Sequence, residues 1–89
     1  MNHSPQSIHE TILKLLQQRD DNKSLAPDEV ARALAGTNEK EWRLFMKPIR
    51  HEAVTMANEG EINILRKGKI VSPIDFKGIY RLALPQENS

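Results

Sequence analysis

Lys47, Arg50, His51, Thr55 and Asn58 follow one another at short spacings within a single stretch. Wound as a helix at roughly 100° per residue, Lys47, His51, Val54, Thr55 and Asn58 fall on one side, with Arg50 on its flank. The chemistry open to such a face is hydrogen bonding to base-pair edges. Arginine can pair bidentately with guanine, asparagine with adenine, and a threonine methyl can touch thymine. A second group follows, Arg66, Lys67 and Lys69 around Gly68. Glycine permits a tight turn there, and three cations at its tip can hold phosphate. Each group also has a plainer reading. The helix face can be ordinary solvated surface, with Glu52 and Glu59 nearby to oppose phosphate. Lysines at a hairpin can simply keep one sheet edge from pairing with another.

Other chemistries find little support. The chain has no cysteine, which removes disulfides, thiolate metal ligands and a thiol nucleophile together. His3, His9 and His51 have no second ligand three or four residues on, so no metal site and no cofactor are expected. Ser72, His51 and Asp75 spell a hydrolase triad without a nucleophile elbow or an oxyanion loop. Gly68 and Gly78 form no phosphate loop, and Asn22-Lys23-Ser24 is a glycosylation sequon that a cytoplasmic chain would never use. No catalytic residue is therefore assigned, and the chain reads as a binding module rather than an enzyme. Trp42 could stack on a base. Its register with Phe45, Met46 and Ile49 points instead to the core or to a groove wall.

The elements that must position these residues are short. With 89 residues, 38% apolar and 4% aromatic, the chain has room for one core built from Ile and Leu. It reads as one domain over 1–89, with short frayed ends at 1–4 and 85–89. The net charge of +1 excludes a uniformly basic surface. The charge is split, however. Lys40 to Arg81 holds nine cations against five anions, so the remainder is acidic. No apolar run suits a membrane span, and the polar start is no signal peptide, so a cytoplasmic location is expected.

Ile8, Ile12, Leu15 and Leu16 predict a first helix over about 5–18. It is capped by Ser4 before Pro5, or one turn later by Ser7 with Glu10. Leu13 beside this stripe is a possible dimer contact, and a monomer or weak dimer is expected. A second helix begins at Pro27 and stops at Gly36. Asn38 caps a third. Pro48 would remove a ladder bond and clash with the carbonyl of Leu44, so that helix should break near Pro48. It should resume from Pro48 to Glu59, with Gly60 as its stop. After Gly60 the apolar period becomes two. Ile62 and Ile64 read as a strand, Ile70-Val71 as its return, and Ile79 to Leu84 as a last strand. A short strand between the first two helices could lie only around Ser24-Leu25-Ala26. The expected class is α+β, a winged helix-turn-helix: a helical trio with its third helix interrupted near Pro48, then a C-terminal β-hairpin wing.

Several blocks resemble a small bacterial family catalogued as a domain of unknown function, number 3253. They are Glu41-Trp42-Arg43, Pro48-Ile49-Arg50, Glu59-Gly60-Glu61-Ile62, Lys67-Gly68 and Gly78-Ile79 with Arg81-Leu82, and upstream Pro27 to Leu34. The likeness runs from about Ile8 to Leu84. It departs from the family pattern at Ala26 and at Tyr80. The resemblance implies a winged-helix domain and brings no ligand, activity or catalytic residue.

The leading expectation is double-stranded DNA as partner. Lys47, Arg50, His51, Thr55 and Asn58 would face the groove, and Arg66, Lys67 and Lys69 would hold the backbone. The alternative is a protein-protein interaction module that uses the same surface and binds no nucleic acid.

Overall fold

The structure, a computed structural model, describes residues 4–19 and 24–85. His3, the first two residues of the sequon and the expected frayed ends, apart from Ser4 and Pro85, lie outside the described residues.

Helix α1 (Pro5–Gln17) starts where Ser4 and Pro5 predict. The Ser4 hydroxyl accepts from the Ser7 N–H at 3.2 Å, which settles the choice of cap. Helix α2 (Pro27–Ala35) carries Asp28 and Glu29 in its first turn. The Glu29 carboxylate reaches back to the Ala26 N–H at 2.8 Å, so half of a capping box forms without a side-chain acceptor at Ala26. Helix α3 (Glu39–Trp42) is a single turn capped by Asn38. It tightens into a 3-10 turn over Arg43–Phe45 before helix α4 (Met46–Asn58) begins.

The interruption thus falls near Pro48 as expected, and the new helix starts two residues earlier, at Met46. Pro48 is the third residue of α4, where a backbone N–H has no intrahelical partner in any case. The register that would have needed a Pro48 N–H ends in the 3-10 turn instead. That turn leaves Leu44 75% exposed. At its far end α4 is closed by Gly60 at φ 79°. Gly60 N–H bonds to the Ala57 carbonyl, and Glu61 N–H to that of Met56 at 2.9 Å. This Schellman closure folds Glu61 back toward the helix.

Strands β1 (Asn63–Arg66), β2 (Lys69–Val71) and β3 (Arg81–Ala83) form an antiparallel sheet in the order β2-β1-β3. The short segment before α2 adds one bridge, Leu25 to Leu82, with bonds of 2.7 and 2.8 Å. Helical trio and hairpin follow each other as expected. The last strand is shorter than Ile79 to Leu84. Residues 72–80 cross from the end of β2 to the start of β3, on the other side of β1. The Ile79 carbonyl takes Arg66 Nη1 at 2.7 Å, and the ladder begins only at Arg81.

One core holds the elements together. Ile8, Ile12 and Leu16 of α1 meet Val30 and Ala31 of α2, Ile49, Ala53 and Met56 of α4, and Ile62, Ile64 and Leu82 of the sheet layer. Phe76 and Tyr80 from the crossing segment close one end, with ring centroids 5.2 Å apart in an edge-to-face pair.

Candidate nucleic-acid interface

Helix α4 is anchored on one side by buried Ile49, Ala53 and Met56, so its opposite side is held rigidly outward. Lys47, His51, Thr55 and Asn58 are all exposed there. The Thr55 hydroxyl donates to the His51 carbonyl at 3.2 Å, so its O–H is satisfied within the helix.

Arg50 sits differently. Its Nη2 donates to the Phe76 carbonyl at 2.9 Å, and its guanidinium lies 4.0 Å from the Phe76 ring centroid and 5.7 Å from that of Tyr80. This half-buried side chain fastens the crossing segment onto α4. Burial pushes the Tyr80 phenol up to about 12, against the opposing pull of Arg50. The Tyr80 hydroxyl has no hydrogen-bond partner among the described residues.

Glu52, expected beside the exposed row to oppose phosphate, is buried instead. Its Oε2 lies 3.1 Å from Nδ1 of His9, and Glu61 Oε2 lies 3.1 Å from Nε2 of the same ring. Burial by itself lowers the His9 pKa. The Glu52 hydrogen bond and the Glu61 charge outweigh it and hold the group above its ordinary value. One carboxylate is thus removed from the α4 face, and Glu59 remains exposed.

At the hairpin, the Arg66–Lys69 pair leaves a two-residue loop, Lys67-Gly68, with φ of 52° and 80°. Both residues are left-handed, as the mirror-image turns of tight hairpins require. Lys67 and Lys69 are exposed. Arg66 is half-buried, tied to the Ile79 carbonyl. Gly78 is where this contact needs a glycine: a Cβ there would stand 2.9 Å from Arg66 Nη1, at a φ of 84°. Sequence reasoning passed over Arg81, whose Nε donates to Ser24 Oγ at 2.5 Å and Nη2 to the Ser24 carbonyl at 3.1 Å. It also set His9 aside. Neither has a local signal, because their partners lie 57 and 43 residues away.

Trp42 is half-buried against the core, as its register predicts, with the Arg32 guanidinium 5.7 Å from its ring centroid. Among the described residues no three His, Asp or Glu side chains are placed to hold a metal ion. No helix among them is long and apolar enough to cross a membrane.

The model of a family described as protein of unknown function DUF3253 matches residues 5–85. The chain belongs to the DUF3253 family. The match starts at the first residue of α1 and ends just after β3, so the family unit is this whole helix-and-hairpin arrangement. No curated protein matches the chain.

Proposed function

We propose that this DUF3253 chain is a small winged-helix module that binds double-stranded DNA. The exposed face of α4 lies in the groove, and the hairpin lies along the backbone. The observation that carries this reading is Lys67. A lysine occupies left-handed backbone at the hairpin tip, at φ 52°, where glycine or asparagine would fit without strain. Local rules are broken most often where function demands it. A charge held at the tip, next to Lys69, suits a phosphate contact. Lys47, His51, Thr55 and Asn58 supply the polar groups a groove helix needs. Arg50 and Arg66 act one step back from the contact, by fixing the crossing segment.

The test is a salt titration of binding to a generic DNA duplex with the parent chain and with Lys67→Ala and Lys69→Ala. Each variant is expected to weaken binding and to reduce the salt slope by about one. Unchanged affinity and slope in both would remove the hairpin from the interface. One observation favours a protein partner on the same surface instead: Arg50 and Arg66 are engaged internally, which leaves this face few free cations. Under that reading no duplex binding is detected even at low salt.

A further inference from the structure

A cleft of about 360 Å³ lies against the hairpin and shares no lining residue with the exposed row of α4. It is lined by Ser24, Leu65, Arg66, Lys67, Gly68, Ile79 and Arg81. Three of these side chains are cationic and none is a carboxylate. Both arginines are already oriented, Arg81 by Ser24 and Arg66 by the Ile79 carbonyl, and each keeps further N–H donors. Leu65 and Ile79 supply its aliphatic part, beside Ser24 and Gly68. Ile79 is 85% exposed.

The sheet register extends this surface. Leu65 pairs with Ile70 on one side and with Arg81 on the other. Directly opposed residues share a face, so Ile70, Leu65 and Arg81 form one row across the sheet. It is the face opposite buried Ile64 and Leu82. A solvated face of an antiparallel sheet ordinarily carries polar residues. Here the row places Ile70, 65% exposed, beside Leu65, with cations along the rim. A phosphate chain would leave both isoleucines in water. A protein segment that sets carboxylates beside aliphatic side chains satisfies the guanidinium groups and covers the isoleucines together.

We infer that this cleft, with the adjoining row, is a docking site for an acidic, aliphatic-bearing protein segment. It shares no residue with the exposed face of α4; it does share Lys67 with the hairpin contact proposed for duplex, and Ile79 and Arg81 are the residues that tell the two apart.

The experiment measures binding of a labelled peptide of alternating Leu and Glu to the full chain by fluorescence anisotropy. Two control peptides carry Gln for Glu or Ser for Leu. The parent is expected to bind the Leu–Glu peptide and to bind each control about tenfold more weakly, about 1.4 kcal/mol. Arg81→Gln and Ile79→Ser are each expected to lose about tenfold, and Lys47→Ala nothing. Ile79 is so exposed that its replacement leaves the fold intact, which keeps the test sound if Arg81→Gln disturbs the Ser24 contact. The inference is overturned by absent binding of the Leu–Glu peptide, by equal binding of the Ser-containing control, or by an unaffected Ile79→Ser variant. Duplex binding by Ile79→Ser is measured in parallel. Its retention with peptide binding lost separates the two sites, whereas loss of duplex binding in step with peptide binding would merge them and overturn the inference.

Discussion

Nδ1 of His9 lies 3.1 Å from Oε2 of Glu52, across 43 residues of sequence. The other ring nitrogen faces Glu61 at the same distance. Only the imidazolium has an N–H for each carboxylate. The ring therefore fastens α1 to α4 and to the approach to β1 best when protonated. The elements packed against it contribute Glu52 from α4 and Glu61 from the turn after it.

The pH dependence follows in sign. The His9 pKa is raised on folding, so its contribution is fully present below the ordinary histidine value and is lost as pH rises through the folded one. Melting temperature measured against pH should fall on the alkaline side of that window. His9→Gln should remove this limb of the curve. Glu29 acts in the opposite sense. Burial raises its pKa, but the Ala26 N–H and Arg19 outweigh burial and lower it, so its contribution is lost as pH falls through the folded value. A His9→Gln curve parallel to that of the parent would contradict the assignment.

Arg50 should behave as a structural residue. Arg50→Ala removes its bond to the Phe76 carbonyl and its contact with the Phe76 ring. The expected loss is about 1–2 kcal/mol of unfolding free energy in urea. The salt slope of duplex binding should stay at the parent value. A reduced slope with unchanged stability would return Arg50 to the contact surface.

Gly60 and Lys67 occupy similar backbone with opposite consequences. No atom lies within 4 Å of a Cβ added at Gly60, so Gly60→Ala should cost only the backbone strain of its φ of 79°, about 1 kcal/mol. Lys67→Gly relieves the same kind of strain. Stability should hold or rise by about 0.5 kcal/mol, and duplex affinity should fall. Thermal melts and binding curves on the same samples check both. A destabilised Lys67→Gly chain would show that the lysine serves the fold.

Much of this fold is legible because its signals are local. Ser4 with Pro5, Pro27 with Glu29, and Gly36 and Gly60 at positive φ mark helix ends within a few residues of one another. The exposed row of α4 is legible for the same reason, since Ile49, Ala53 and Met56 recur at helical spacing on its reverse. The crossing segment is not. Phe76 lies within Asp75 to Gly78, which reads as a turn, and Tyr80 lies in the stretch that reads as the last strand. Nothing within these residues shows that the segment folds over Arg50, 26 residues upstream of Phe76. The same holds for Glu52, which periodicity places near the exposed face and a distant histidine turns inward. Long-range polar pairs leave no period to read.

Asn58 offers a test of groove contact distinct from charge. It is exposed at the end of α4 and touches no core. Asn58→Ala should leave the melting temperature unchanged. On a selected duplex it should cost about 1–3 kcal/mol and relax preference at one base pair. Uniform weakening across all sequences would place Asn58 on the backbone instead.

Whether the hairpin grips DNA phosphate is decided by the salt dependence of binding to generic duplex. The parent chain should bind with a log–log slope that falls by about one for Lys67→Ala and by about one more when Lys69→Ala is added. No binding to duplex at low salt by the folded chain, or a slope that both substitutions leave in place, would contradict it.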